Sequence, residues 1–189
     1  YLRRIDVILL AGFVRPEILG MYSLGARYAQ VLAVARFSVK RFWMPRDAPR
    51  YAAADEAGLQ SEITTAARAV FASTIVATIG LLLLGPYLIE FAGFGEGIAF
   101  QAMTILLIGQ LVAGYYSPSV QTLQMCGHER SANRLVLVAA ALVTVAVALL
   151  SAVGGALAAA VGVAAVTGLQ FWLASRRSRE LVGVNTGAW

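Results

Sequence analysis

The sequence has little of what a soluble domain, a disulfide-stabilised domain or a metalloenzyme needs. The chain has one cysteine, Cys126, so it cannot form an internal disulfide. It also has one histidine, His128, so a metal site is unexpected. Only 13% of the residues are charged, whereas about 25% is usual in soluble domains. No Ser–His–Asp set, paired catalytic carboxylates, Walker loop or Gly-x-Gly-x-x-Gly motif occurs. We therefore expect no catalytic residues, no cofactor and no enzyme activity.

Long hydrophobic runs take the place of those features. The chain of 189 residues is 59% hydrophobic, with apolar stretches of about twenty residues, the length that crosses a bilayer as a helix. Clusters of charge separate these stretches, a pattern that predicts an all-α, polytopic transmembrane helix bundle. The net charge of +5 does not indicate nucleic-acid binding, because the basic residues fall at the ends of the apolar runs, where they meet headgroups.

The apolar runs and the turn residues between them predict five full spans plus the end of a sixth. The full spans cover residues 20–44, 64–84, 98–126, 131–153 and 156–174, and residues 1–14 form the partial one. Pro45 and Pro86 are expected to end their helices, and Pro118 to kink the fourth span. Ser131 is a predicted N-cap, and residues 151–156 a tight turn.

Loop charge predicts the orientation of these spans. Loops at residues 40–50, 128–134 and 176–179 are rich in Lys and Arg, whereas residues 90–96 and 151–156 contain neither. Strict alternation places the basic loops in the cytoplasm by the positive-inside rule. Residues 1–14 are then expected to be the outer part of a helix that begins in the cytoplasm before Tyr1.

Several polar residues then fall within the predicted hydrocarbon depth. Ser23, Arg27 and Gln30 share one face of the span 20–44, and an arginine facing lipid at that depth costs roughly 2.5–3.5 kcal/mol. Arg4 and Asp6, on the preceding helix, lie at a similar predicted depth. Two interpretations stay open: a self-satisfied Arg–Asp pair that holds two helices together, or a cationic cavity for an anionic substrate.

The fourth span carries a second polar stripe, made of Gln110, Gly114, Ser117, Gln121 and Gln124. Amides at this spacing either join helices by hydrogen bonds or contact a sugar. The last two spans are dominated by Ala, Val, Leu and Gly. Two sets of small residues spaced four apart in these spans predict close helix packing. The sets are Gly154, Ala158 and Gly162, and Ala160, Ala164 and Gly168.

Four motifs occur in a specific order. RIDVILLAGFVRPEILGMYSLGARYA joins an Arg-x-Asp helix end to a Gly-x-Tyr-Ser-x-x-x-Arg helix, and LIEFAGFGEGIAFQAMTILLIGQLV leads from Phe-Gly to Ile-Leu-x-x-Gly-Gln. LQMCGHERSANR has the form Leu-x-Met-x-Gly-x-x-Arg, and GGALAAA is a Gly-Ala-Ala turn. Together they resemble the O-antigen and exopolysaccharide lipid flippases of the MATE-like MOP (multidrug/oligosaccharidyl-lipid/polysaccharide) superfamily.

The resemblance implies a two-lobe transporter of which this chain is the second, C-terminal lobe, residues 1–189, with the N-terminal lobe absent. The implied substrate is an undecaprenyl-diphosphate-linked oligosaccharide, moved across the bacterial cytoplasmic (inner) membrane by alternating access. The implied partners are that lipid-linked oligosaccharide, the lipid bilayer and the missing lobe, with H+ or Na+ as candidate coupling ions.

The same resemblance implies roles for particular residues. Arg4 and Arg27 would bind the diphosphate or acidic sugars, and Asp6 would tune them or carry a coupling cation. The expected cavity wall consists of Tyr22, Tyr28, Gln30, Gln110 and Gln121.

Three alternative functions are compatible with a polytopic helical chain. A MATE-type drug/cation antiporter would present carboxylates to its substrate, and the deep acid here is Asp6. A lipid II flippase is a variant that these residues do not separate from the first. A membrane enzyme of polysaccharide assembly, a polymerase or ligase, is expected to carry catalytic residues in a large outer loop, whereas the predicted outer loops carry Glu90 and Glu96.

Overall fold

The computed structural model describes residues 5–52, 56–93 and 96–188, with side chains for residues 5–34, 57–93 and 97–188. Every regular element in those ranges is an α-helix, which confirms the all-helical expectation. The helices are α1 (Ile5–Leu10), α2 (Pro16–Ala52), α3 (Glu56–Phe91), α4 (Glu96–Tyr115), α5 (Ser119–Met125) and α6 (Glu129–Val182).

Three of the described helices are long and apolar enough to cross a membrane. They cover Ala57–Phe91, Gly97–Tyr115 and Glu129–Val182. Large apolar side chains also point outwards from them: Val76 is 70% exposed, Leu83 68% and Leu149 65%. Large exposed apolar patches are rare on soluble monomers. The length and composition of these helices, together with their exposed apolar side chains, therefore indicate a membrane protein.

The helix α6 folds back on itself at Gly155. A straight helix of its 54 residues would be about 80 Å long, more than twice the thickness of the hydrocarbon core. Gly155 instead has φ 63° and ψ −149°, a conformation that only glycine adopts readily. A Cβ on Gly162 would meet Leu150 and Ala146, so the first arm (residues 129–154) and the second arm (residues 156–182) pack side by side. The predicted tight turn is confirmed.

The helix α4 lies at the centre and packs against α2, α3 and α6. Small residues allow the close approach of these helices. Gly25 on α2 lies against the backbone of Ala99, and Gly109 on α4 lies against Ala164 of the second arm. Since a Cβ at either glycine would collide with backbone, neither pair of helices could pack as closely with a larger residue. The close packing predicted from the small-residue pattern of α6 is confirmed at Ala164.

A second core joins the beginning of α3 to α5 and the end of α6. Leu59, Leu123 and Ala174 are buried together there. The chain after α6 returns to this cluster, where Gln60 and Asn185 exchange two hydrogen bonds of 2.9 and 2.7 Å. In the predicted orientation this core lies at the cytoplasmic end.

Two predicted helix ends at prolines are wrong. The helix α2 continues through Pro45 to Ala52, and α3 continues through Pro86 to Phe91. Proline removes one donor and crowds the preceding turn, which bends a helix without necessarily ending it. Around Pro86, which lies in an apolar stretch, the flanking peptide groups also gain more from staying helical than from exposure.

Other predicted boundaries also move. The helix α2 begins at Pro16 rather than near residue 20, because proline suits the first turn, where its missing N–H is not needed. The predicted Ser131 N-cap is wrong: α6 begins at Glu129 after His128, and the Ser131 backbone N–H donates to the carbonyl of His128. The kink predicted at Pro118 is a full break, since Pro118 is the N-cap of α5.

The close approach of α4 to α6 predicts opposite outcomes for two glycine-to-alanine changes. In Gly109→Ala the new methyl group meets the Ala164 backbone at 2.7 Å, so the helices must separate, at a cost of about 1–3 kcal/mol. In the control Gly80→Ala the methyl group meets nothing within 4 Å, and the higher helix propensity of alanine applies. Thermal unfolding in detergent should show a lower Tm for Gly109→Ala alone; equal Tm values would contradict the packing described.

Candidate functional site

A buried carboxyl group connects the first two helices. Asp6 on α1 is only 8% exposed, and Tyr22 on α2 is completely buried. The Tyr22 hydroxyl donates a hydrogen bond of 2.9 Å to Asp6 Oδ2. A buried carboxyl group without a donor is unfavourable, so this bond both satisfies Asp6 and fixes the position of α1 against α2.

A polar cleft of about 260 Å³ opens beside this pair. Its walls come from α1, the turn after it and one face of α2: Val7, Pro16, Leu19, Gly20, Ser23, Ala26, Arg27 and Gln30. Ser23, Arg27 and Gln30 are the stripe that the helical spacing predicts. We call this the polar cleft.

The two faces of α2 differ sharply. Gly25, Ala29 and Leu32 are buried, and they face the core that α2 shares with α4. Arg27 is exposed, and Gln30 is half-buried in the cleft wall. The packing of α2 against α4 therefore directs the polar stripe away from the core.

Arg27 and Asp6, both described, do not form an ion pair. Asp6 bonds to Tyr22, and the Arg27 side chain lies exposed in the cleft. The Arg–Asp interpretation is therefore wrong for this pair: a tyrosine, rather than an arginine, connects the carboxyl group to the next helix. Because α2 begins at Pro16, Arg27 lies about 16 Å along the helix, one turn deeper than the sequence indicates.

The other predicted cavity residues are separated from the cleft. Tyr22 is too buried to form a wall, and the Tyr28 hydroxyl donates to the Leu88 carbonyl at the end of α3 at 3.1 Å. Gln110 on α4 and Gln121 on α5 are half-buried and do not line the cleft. Arg4 lies outside the described residues. The described members of the predicted set that share the cleft are thus Arg27 and Gln30.

Sequence reasoning missed a larger, apolar groove between α4 and the second arm of α6. Its volume is about 690 Å³, and it extends from Ile105 and Val161 to Tyr116 and Trp172. The small residues Gly109, Ala164 and Gly168 predict close packing of the two helices but do not reveal that the space beside them is open. The aromatic residues at one end were the available signal.

Metal chemistry has no support in the part of the chain that the structure describes. No group of three His, Cys, Asp or Glu residues there could hold an ion, and Cys126 is a free, buried thiol. The polar cleft presents one exposed guanidinium, that of Arg27, in a cavity of modest size. The Ser23 hydroxyl in its wall donates to the Gly20 carbonyl at 2.9 Å. A guanidinium binds anions by charge-assisted hydrogen bonds.

The Tyr22–Asp6 bond predicts a specific pattern of stability. Tyr22→Phe leaves a buried carboxyl group without its donor and should destabilise the fold by about 1–3 kcal/mol. Asp6→Asn should also destabilise it, and the double variant should lose less than the sum, because one shared bond is lost once. Thermal unfolding in detergent measures all three. Tyr87→Phe, at a 72% exposed side chain, is the control; a Tyr22→Phe Tm equal to that of Tyr87→Phe would disprove the connection.

Comparison of the chain with family models, curated proteins and solved structures finds no match. The resemblance to the MOP flippases therefore stays a prediction, carried by the four motifs quoted above.

Proposed function

We propose that this chain is the second lobe of a flippase that moves undecaprenyl-diphosphate-linked oligosaccharides across the bacterial cytoplasmic membrane. The observation that carries the proposal is the polar cleft, in which the Arg27 guanidinium is exposed on a helix of an otherwise apolar bundle. The motifs at residues 4–29 and 88–134 and the Gly-Ala-Ala turn support the same family.

In this proposal the chain contributes five full spans and the outer end of a sixth. The full spans are α2, α3, α4 with α5, and the two arms of α6, while α1 is the outer end of the sixth. The helices α2 and α3 exceed the roughly 20 residues that a span needs, α4 has 20, and each arm of α6 would be about 39 Å long. Basic residues near residues 128–134 and 176–179 then face the cytoplasm.

The depth of Arg27 supports an anionic ligand. With Pro16 at the outer interface, Arg27 lies about 16 Å inwards, close to the middle of a hydrocarbon core of about 30 Å. An arginine facing lipid at that depth is costly, so its side chain requires water, a protein partner or an anion. A diphosphate suits a guanidinium because its oxygens accept paired hydrogen bonds. The N-terminal lobe of the proposed transporter would close the cleft from the other side.

Asp6 supports a structural role better than a substrate-binding role. A cation antiporter needs a carboxylate that its substrate can reach, whereas Asp6 is 8% exposed and bonded to Tyr22. In the flippase, Asp6 holds α1 against α2 next to the cleft. A coupling H+ or Na+ would act through this group by weakening that bond.

The proposal predicts that Arg27→Ala strongly reduces glycan export. The change should be made in the full-length protein and export measured in a flippase-null strain. A charge-assisted hydrogen bond is worth about 1.5–3 kcal/mol, so export should fall at least about tenfold. Arg4→Ala should have a similar effect, and Arg27→Lys should retain part of the activity because it keeps the charge.

Arg134→Ala is the matched control, since Arg134 is exposed on the first arm of α6, away from the cleft. It should leave export unchanged, with all variants present in the membrane at equal amounts. Normal export with Arg27→Ala and Arg4→Ala would show that the cationic-cavity mechanism is wrong. Loss of drug efflux in Asp6→Asn, with export unaffected by Arg27→Ala, would indicate the antiporter instead.

A further inference from the structure

The two helices that line the apolar groove have a defined relative direction. The floor of the groove is the contact of Gly109 with Ala164, and Val112 meets Gly168 further along. Because the contacting residues advance together along both helices, α4 and the second arm of α6 run parallel. Tyr116 and Trp172 therefore lie at the same end of the groove.

The length of the groove corresponds to one leaflet of a bilayer. From Ile105 to Tyr116, and likewise from Val161 to Trp172, the walls rise by about 16 Å. This is about half of the roughly 30 Å hydrocarbon core. A single acyl chain of one leaflet fills such a length, whereas a transmembrane helix would need about twice as much.

A cationic side chain, that of Arg176, lies at the aromatic end of the groove. The Arg176 guanidinium lies 4.3 Å from the centre of the Trp172 ring, and no carboxylate among the described residues pairs with it. The neighbouring Arg177 differs, because it is bonded to Glu180 at 3.0 Å. Aromatic rings and arginines at the end of an apolar wall are typical of the headgroup level, where an arginine can bind a phosphate.

We propose that the groove holds one acyl chain of an anionic glycerophospholipid, with its phosphate at Arg176. In the predicted orientation the lipid belongs to the cytoplasmic leaflet, because the second arm ends at basic residues and α4 runs parallel to it. The apolar walls exclude a polar ligand, and the free guanidinium selects an anionic headgroup over a zwitterionic one. This inference requires only that α4 and α6 lie in a membrane, so it stands or fails independently of the proposed flippase activity.

Trp172 provides an intrinsic probe of this site. The full chain carrying Trp43→Phe and Trp189→Phe has Trp172 as its single tryptophan. It would be reconstituted into vesicles of unbrominated phosphatidylcholine with increasing fractions of phosphatidylglycerol or phosphatidylcholine brominated on the acyl chains. Quenching normalised to unbrominated lipid should show an affinity about fivefold higher for phosphatidylglycerol, the effect of one basic residue near the headgroup.

Two pairs of variants separate the parts of the site. Arg176→Gln should remove the preference for phosphatidylglycerol, whereas Arg177→Gln should keep it. Ala165→Phe, on the exposed rim of the groove, should reduce quenching by both lipids because the ring fills the space for the chain. Val145→Phe, 54% exposed on the first arm, is its control. Circular dichroism of each variant establishes that the helices are retained.

Four results would overturn the proposal. Equal quenching by both lipids, or a preference that survives Arg176→Gln, would mean ordinary boundary lipid. Protection of Trp172 from every brominated lipid would mean that a protein helix covers the groove. Displacement of phosphatidylglycerol by a small fraction of undecaprenyl phosphate would assign the groove to the polyprenyl carrier instead.

Discussion

The close approach of other helices to α4 is the constraint on which the rest of the structure depends. In lipid there is little hydrophobic force between helices, so their association relies on close van der Waals contact. Gly25 gives α2 that contact with α4, and Gly109 gives it to α6. Once these two crossings are fixed, the rotation of α2 and of the second arm about their own axes is fixed as well.

Both cavities follow from these rotations. The face of α2 that carries Gly25 and Leu32 is turned inwards, so the face with Arg27 is turned outwards into the polar cleft. On the other side of α4, Gly109 and Ala164 touch at their backbones, while Ile108 and Leu169 diverge from the contact and remain exposed. The open wedge between them is the apolar groove. The same packing rule thus produces one polar and one apolar concavity.

Sequence patterns that depend on a single helix were predictive. The break at Pro118, the reversal at Gly155 and the stripe of Ser23, Arg27 and Gln30 each follow from local backbone or helical periodicity. Features that depend on the apolar surroundings were not. Pro86 indicates a helix end in water, whereas the structure continues α3 through it, because exposed peptide groups are costly in an apolar medium. The helix α2 also continues through Pro45, but within a charged segment, where that reason does not apply.

Contacts between helices were the least predictable part of the candidate site. Asp6 and Arg27 have opposite charges and similar predicted depths, which favours an ion pair on charge alone. Tyr22 reaches Asp6 instead, because it lies on the buried face of α2, more than a full turn before Arg27. The rotation of α2 about its own axis decides whether Tyr22 or Arg27 meets Asp6. That rotation is determined by the contact of Gly25 with α4, which the sequence of α2 alone does not reveal.

The polarity of the two concavities also determines what can cover them in a membrane. A lipid can cover the apolar groove, which ends in Trp172 and Arg176. Its acyl chain would contact the apolar walls, and its phosphate would contact the guanidinium. The polar cleft has no such solution, because the exposed Arg27 lies near mid-depth in the proposed orientation, where lipid chains offer it no acceptor. In the proposed arrangement the α4–α6 side therefore faces the bilayer, and the α1–α2 side faces the N-terminal lobe and the substrate path. The lobe would in this way be oriented within the transporter by electrostatics, while its internal packing is set by the small residues around α4.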